Sequence, residues 1–237
     1  MSLSHEAELK NACITCLNRK PGFLCSLSQE AFVGFASIKH PLHYSVGDLL
    51  FLEKEDAQGV YVVCSGQIKL SFSSSMGKTL TLRIAKPGDL LGLTSTMSGT
   101  PHEVTAEVLQ PCQVAFIRRS DFLHFIEKHP GAYAAVISQM SAQYKSACEQ
   151  LRTVALSSSA NEKLARLLLE WASEGTETQE GTQIRMPWTH EQIAECVGST
   201  RETVSRTLGD FKIRRLISIK GATMVIPNRA ALAAVCG

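Results

Sequence analysis

The chain has 237 residues, 44% of them hydrophobic and 19% charged, and a formal net charge of +2. That composition is ordinary for one large or two modest soluble domains, and the near-neutral total excludes a general polybasic coating, so an anionic partner must be met by a local patch. No apolar run approaches the roughly 18 residues of a membrane span. The opening MSLSHEAELK lacks the basic-then-apolar layout of a signal peptide, so a cytoplasmic location away from membranes is expected.

Eight cysteines in a reducing compartment read as thiols, metal ligands or redox sensors before they read as disulfides. Cys13-x-x-Cys16 followed by Cys25 is the most patterned group. From its residues alone it fits zinc, direct reaction with oxidants or nitric oxide, or unliganded thiols. Cys64, Cys148, Cys196 and Cys236 read as packing or incidental residues.

From about Lys39 to Arg119 the sequence turns to short β patterns broken by glycine. Ile68, Leu70 and Phe72 alternate with polar residues, as do Leu80, Leu82 and Ile84, with Met76-Gly77-Lys78 as the hairpin turn between them. Val104, Ala106 and Val108 alternate with Glu103, Thr105 and Glu107. Gly47-Asp48 and Pro87-Gly88-Asp89 are turn pairs at strand entries. Many short strands at regular spacing predict an antiparallel β-roll or sandwich with an interior.

A helix without Pro or interior Gly is predicted over roughly Gly131 to Leu156. Tyr133, Ile137, Met140, Tyr144, Ala147, Leu151 and Val154 step by four and three alternately, a heptad seam that predicts pairing with a second copy. Packing on the chain's own β-domain is the competing use of such a stripe. Ser157-Ser158-Ser159 reads as a hinge, Asn161 to Ala172 as a helix, and Glu174 to Glu180 as an acidic loop.

The stretch from Trp188 to Ile217 parses as two short helices around a tight turn. Thr189 with Gln192 is a capping-box start, Gly198 breaks the first helix, and Ser199 or Thr200 caps the second. The second helix sets Val204, Leu208 and Phe211 against Arg201, Glu202, Ser205 and Arg206. A helix that only gripped phosphate would gain nothing from Glu202. One that reads bases can use it, because Glu accepts from the cytosine amine while Arg forks onto guanine. Ile217-Ser218-Ile219, Lys220-Gly221 and Thr223 to Ile226 predict a hairpin wing lying along phosphates. From Arg201 to Arg229 there are seven basic residues against two acidic ones, a local surplus larger than the charge of the whole chain. The candidate DNA-binding residues are therefore Thr189, Thr200, Arg201, Glu202, Ser205, Arg206 and Lys220.

Read together, these parts resemble the CRP/FNR family of bacterial transcription regulators over nearly the whole chain. Gly198-Ser199-Thr200-Arg201-Glu202-Thr203-Val204-Ser205-Arg206 looks like that family's recognition-helix motif. The resemblance implies an α+β fold: an N-terminal β-roll (cyclic-nucleotide-binding-like jelly roll), a long dimerisation helix and a C-terminal winged helix-turn-helix. The boundaries expected are 1–30 for the cysteine-containing segment, 31–128 for the β-roll sensor, 129–157 for the dimer helix and 158–237 for the DNA-binding domain. It also implies a homodimer on palindromic double-stranded DNA, with RNA polymerase as partner. By the same likeness Glu202 and Arg206 would read the cytosine and guanine of a TGA-type half-site. Arg201 resembles one branch of the family and Ser205 the other.

In the cyclic-AMP branch a ribose-binding Glu and a phosphate-binding Arg-Ser pair are expected. Leu93, His102 and Glu103 stand in their places, so cyclic AMP binding in the usual mode is not expected. Cys13, Cys16 and Cys25 resemble the cluster that holds a [4Fe–4S] centre in oxygen-sensing relatives, with Cys112 as the natural fourth ligand. The Cys16 to Cys25 gap is longer than in that pattern, and Cys112 falls about three positions early on its strand. The alternative is a small-molecule or metal-binding sensor module with a degenerate DNA-binding domain. An enzyme is not expected, since no nucleophile-elbow, P-loop or HExxH pattern occurs.

Overall fold

A computed structural model describes residues 23–236 of the chain. These residues divide into two compact units, one built from the residues up to Phe72 together with Arg83–Ser146, the other from Ser73–Leu82 and Ala147 onward. Cys13 and Cys16 lie outside the described residues, as does the side chain of Cys25.

The first unit is an antiparallel β-roll with helices packed on it. A single 3-10 turn, Phe23–Ser26, precedes helix α1, Gln29–Ile38, whose N-cap Ser28 accepts from the amide of Ala31. Strands β1 (His40–Tyr44), β2 (Leu49–Phe51), β3 (Gly59–Ser73), β4 (Thr79–Ala85), β5 (Leu90–Leu91) and β6 (Thr105–Arg118) follow, with helix α2, Leu93–Ser98, set between β5 and β6. The sheet runs β1-β6-β3-β4, with β2 also on β6 and β5 on β3. Helix α3, Arg119–Lys128, closes the roll.

The run Val60-Tyr61-Val62-Val63 shows why alternation alone did not mark β3 throughout. Tyr61 and Val63 point into the roll with Leu50, Phe51, Ile68, Leu70 and Val108. Val60 and Val62 point the other way, into a cluster with Phe35, Phe122, Phe125 and Ile126 of the helices. A strand covered on both faces carries an unbroken apolar run. The predicted turns form as expected: Gly77 takes φ 76° in the β3–β4 hairpin, where Ser74 N–H donates to Lys78 O. Asp89 holds the β4–β5 turn by accepting from Lys86 N–H and from Arg83.

Helix α4 covers Gly131–Leu156, the span that the heptad pattern predicts. Its first turns seat Ala132, Ala135 and Val136 in the helix-side cluster of the roll.

The second unit is helical with a small sheet. Helix α5, Ala160–Ala172, starts at Ser159, whose hydroxyl accepts from the amide of Glu162. Strands β7 (Thr176–Thr178) and β8 (Gly181–Arg185) replace most of the expected acidic loop with a hairpin. The loop expectation failed there because β7 is exposed at every position and so has no inward apolar set to betray it. Helix α6 is His190–Val197 and helix α7 is Arg201–Ile213. Strands β9 (Ser218–Lys220) and β10 (Thr223–Ile226) complete an antiparallel sheet in the order β7-β8-β10-β9, and helix α8, Arg229–Ala233, follows. Leu164, Leu168, Ile193, Val197, Leu208, Phe211, Met224 and Ile226 are buried between these layers. Trp171 and Trp188 pack ring on ring, with centroids 4.0 Å apart.

Candidate nucleic-acid interface

The helix-turn-helix is fixed from both ends. Thr189 Oγ1 accepts from Gln192 N–H at 3.2 Å while Gln192 Oε1 accepts from Thr189 N–H at 2.8 Å, so two otherwise orphaned donors of α6 are satisfied reciprocally. Gly198 leaves α6 in the left-handed conformation, at φ 61° and ψ 43°, which a side chain would resist. Thr200, rather than Ser199, caps α7, its hydroxyl accepting from Thr203 N–H. Glu202 is thereby the second residue of the helix and does not complete a box with Ser199.

The two faces of α7 separate as the 3.6-residue period requires. Val204, Leu208 and Phe211 are buried, and Thr207 donates from beneath to Asn161 Oδ1 at 3.1 Å, tying α7 to α5. Arg201, Glu202, Ser205 and Arg206 are all exposed. Among the described residues, the side chains of Arg201, Glu202 and Arg206 have no hydrogen-bond or ion-pair partner. Arg166, Arg214 and Arg229, by contrast, are all occupied by carboxylates. A rigidly seated helix thus holds a carboxylate and two guanidinium groups outward with their hydrogen-bonding capacity unspent.

Ser205 is the exception on that face. Its hydroxyl lies 2.7 Å from Nδ1 of His190, the first residue of α6. Sequence reasoning did not single out His190, and no one-dimensional signal could have done so: the contact joins residues fifteen apart through the geometry of the turn.

The end of α7 carries a second unanticipated feature. Leu216 N–H donates to Phe211 O at 2.9 Å and Arg215 N–H to Lys212 O at 3.0 Å, the paired bonds of a Schellman stop. The left-handed residue in that motif is usually glycine; here it is Arg215, at φ 58°. Beyond it, Lys220 is exposed at the tip of the β9–β10 hairpin, beside the left-handed Gly221.

The β-roll positions behave in the opposite way. Leu93 is buried at the start of α2. His102 is buried and stacked on Phe51, with centroids 3.8 Å apart and planes 15° from parallel. Burial pushes its pKa below the usual histidine value, outweighing the carboxylates of Glu103 and Glu55 that act to raise it. Glu103 accepts the hydroxyl proton of Ser95 at 2.8 Å. An apolar residue, an inward imidazole that favours its neutral form and an acid already engaged do not fit a sugar hydroxyl and a phosphate.

Cys112 sits in the apolar interior of the roll among Phe51, Ile68 and Val114, its thiol turned toward Gln67 O at 3.7 Å. Burial raises its pKa, against a hydrogen bond to Gln67 O that acts to lower it. Among the described residues no group of three or more His, Cys, Asp or Glu is placed to hold a metal ion.

On α4, Ile137, Tyr144 and Leu151 recur every seven residues and are 63%, 74% and 66% exposed; Tyr133 is also exposed. Met140 packs in part against the helix-side cluster of the roll, and Ala147 and Val154 are half-buried. Among the described residues no helix is long and apolar enough to cross a membrane.

Comparison with known proteins agrees with this geometry. Residues 162–235 match the Crp-like helix-turn-helix domain and residues 41–129 the cyclic nucleotide-binding domain. The chain belongs to the CRP/FNR family. It is 24% identical to a CRP-like cAMP-activated global transcriptional regulator of Mycobacterium tuberculosis, over 90% of this chain and 96% of the relative. It is 27% identical to the nitrogen fixation regulation protein FixK of Bradyrhizobium diazoefficiens, over 94% of each. The solved structure of FixK2 from Bradyrhizobium japonicum superposes with a TM-score of 0.75 at 22% identity, covering 84% of this chain and 98% of that one, which establishes the common fold. This member of the family is a transcription regulator with a DNA-binding helix-turn-helix and a cyclic-nucleotide-binding-like domain.

Proposed function

We propose that the protein is a homodimer that reads a palindromic site in double-stranded DNA through α7 and meets RNA polymerase at promoters in the cytoplasm. The observation that carries the reading is the unspent, outward set of Glu202 and Arg206 on a helix whose other face is fully buried. Such a pair discriminates: the carboxylate accepts from a cytosine amine and the guanidinium forks onto guanine O6 and N7. Thr189, Thr200 and Lys220 lie at the helix start, the turn and the wing tip, where phosphate contacts fix register without reading sequence.

The exposed seven-residue repeat of Ile137, Tyr144 and Leu151 favours a second copy of the helix as its cover. Two recognition helices held by one seam meet half-sites about one helical turn apart, which is why the site should be an inverted repeat. The roll's effector is something other than a cyclic nucleotide held in the usual mode. Cys13, Cys16 and Cys25, with Cys112 as the fourth candidate ligand, support a response to oxygen, nitric oxide or redox state. Iron, sulfide and zinc assays on anaerobically purified protein test that part.

The main test is a footprinting titration against an inverted-repeat site and its single-base variants. Glu202→Ala and Arg206→Ala should each lose discrimination at one base pair, by ~1–3 kcal/mol, while retaining non-specific affinity. If both variants keep full preference, the base-reading assignment is wrong.

A further inference from the structure

Ser205 stands between Glu202 and Arg206 on the exposed face of α7, and its hydroxyl is already engaged by His190 Nδ1 at 2.7 Å. A serine hydroxyl has one proton and two lone pairs on a free rotor, so alone it pairs with base edges of either polarity. An imidazole nitrogen at hydrogen-bond distance removes that freedom. Where Nδ1 carries the lone pair, Ser205 must spend its proton on His190 and turns only acceptor capacity outward. That suits a base edge that donates, adenine N6 or cytosine N4. Where Nδ1 carries a proton, the hydroxyl accepts from His190 and offers its own proton to guanine or to thymine O4.

The other ring nitrogen of His190 has no partner among the described residues, and the side chain is partly exposed at the start of α6. A neutral ring with its proton on that other nitrogen leaves Nδ1 as the acceptor. We propose that His190 is a positioning residue for sequence recognition, fixing the Ser205 hydroxyl as an acceptor so that an amino-bearing base is preferred at the position Ser205 faces. This rests on the DNA-reading function proposed above.

The experiment measures affinity of the full-length protein at about pH 8, where an ordinary histidine is neutral, for an inverted repeat carrying each of the four base pairs at the position flanking those lost in the Glu202 and Arg206 variants. Wild type, His190→Ala, His190→Asn, Ser205→Ala and the His190→Ala/Ser205→Ala double variant are compared. Wild type should favour an adenine or cytosine there by about threefold to tenfold, the range of one net hydrogen bond. His190→Ala should flatten that preference to the level of Ser205→Ala, and the double variant should fall no further. His190→Asn, whose amide oxygen can accept in place of Nδ1, should restore it.

Discrimination at the base pairs assigned to Glu202 and Arg206 should be unchanged in the two single His190 variants. The proposal is overturned if His190→Ala keeps the wild-type preference, or if it weakens all sequences equally, as a phosphate contact would. A wild type with no sequence preference anywhere would overturn the DNA-reading function and this inference together. A wild type that discriminates only at the Glu202 and Arg206 positions overturns this inference alone.

Discussion

The outer face of α7 and the β-roll both carry polar groups at positions where a family resemblance places ligand contacts, yet they treat those groups differently. On α7 the carboxylate of Glu202 and the guanidinium of Arg206 are exposed and have no side-chain partner among the described residues. In the roll, His102 is buried and stacked on Phe51, while Glu103, itself exposed, accepts from the buried Ser95. Leaving a charged group uncommitted at the surface costs little, because water solvates it until a ligand replaces the water. Leaving one uncommitted in an interior costs several kcal/mol, so an interior without its ligand tends to close on itself. Unspent capacity on a rigid support leaves a surface able to take a partner, whereas groups satisfied within the fold contribute to packing instead.

The comparison can be broken most forcefully at the support. Phe211 is fully buried on the inner face of α7. Phe211→Ala should destabilise the C-terminal unit by about 3–5 kcal/mol and abolish DNA binding through unfolding. Glu202→Ala, by contrast, should alter specificity with urea stability unchanged within about 0.5 kcal/mol. Equal stability losses in the two variants would mean that Glu202 is structural.

A smaller effect is expected at the end of α7. Arg215 holds a left-handed conformation that costs a non-glycine residue roughly 1–2 kcal/mol, partly offset by the greater unfolded-state freedom of glycine. Arg215→Gly should therefore raise stability by up to about 1 kcal/mol in urea titrations. If Arg215 also touches phosphate, the same variant should bind all sequences more weakly and shift the slope of log affinity against log salt by about one. Stability falling on this substitution would show that the arginine side chain does more within the fold than the motif requires.

The smallest effect lies in the roll. His102 has its pKa lowered by burial, so just below the ordinary histidine value the unfolded chain binds more protons than the native one. Stability should be fully present above about pH 6.5, the ordinary histidine value, and should decline as pH falls through the window down to the native pKa. His102→Phe keeps a ring against Phe51 and removes the titration. Its urea midpoint, followed by circular dichroism, should lose that component of the acid sensitivity. Identical pH dependence in both proteins would show that the imidazole is not what titrates there.

How far the sequence revealed all this depended on whether periodicity met burial. The exposed face of α7 was legible because one helix carried two chemistries in one period, Val204, Leu208 and Phe211 against Glu202, Ser205 and Arg206. Helix α4 was legible in extent, because 26 residues without Pro or interior Gly leave few alternatives. Its seam was only half legible: Ile137, Tyr144 and Leu151 face outward, but Met140 turns partly toward the roll. Strand β7 and the short helices α1 and α3 escaped notice. The first buries nothing, and the other two are ten residues each, beside louder β patterns. The pairing of His190 with Ser205 has no periodic signature at all.

The ring-on-ring packing of Trp171 and Trp188 gives the molecule a built-in optical asymmetry. These are the chain's only two tryptophans, and both belong to the C-terminal unit. Their emission therefore watches the C-terminal unit and is blind to the roll. Where an emission-detected melt and a whole-chain calorimetric melt part company, the gap measures how independently the two units come undone.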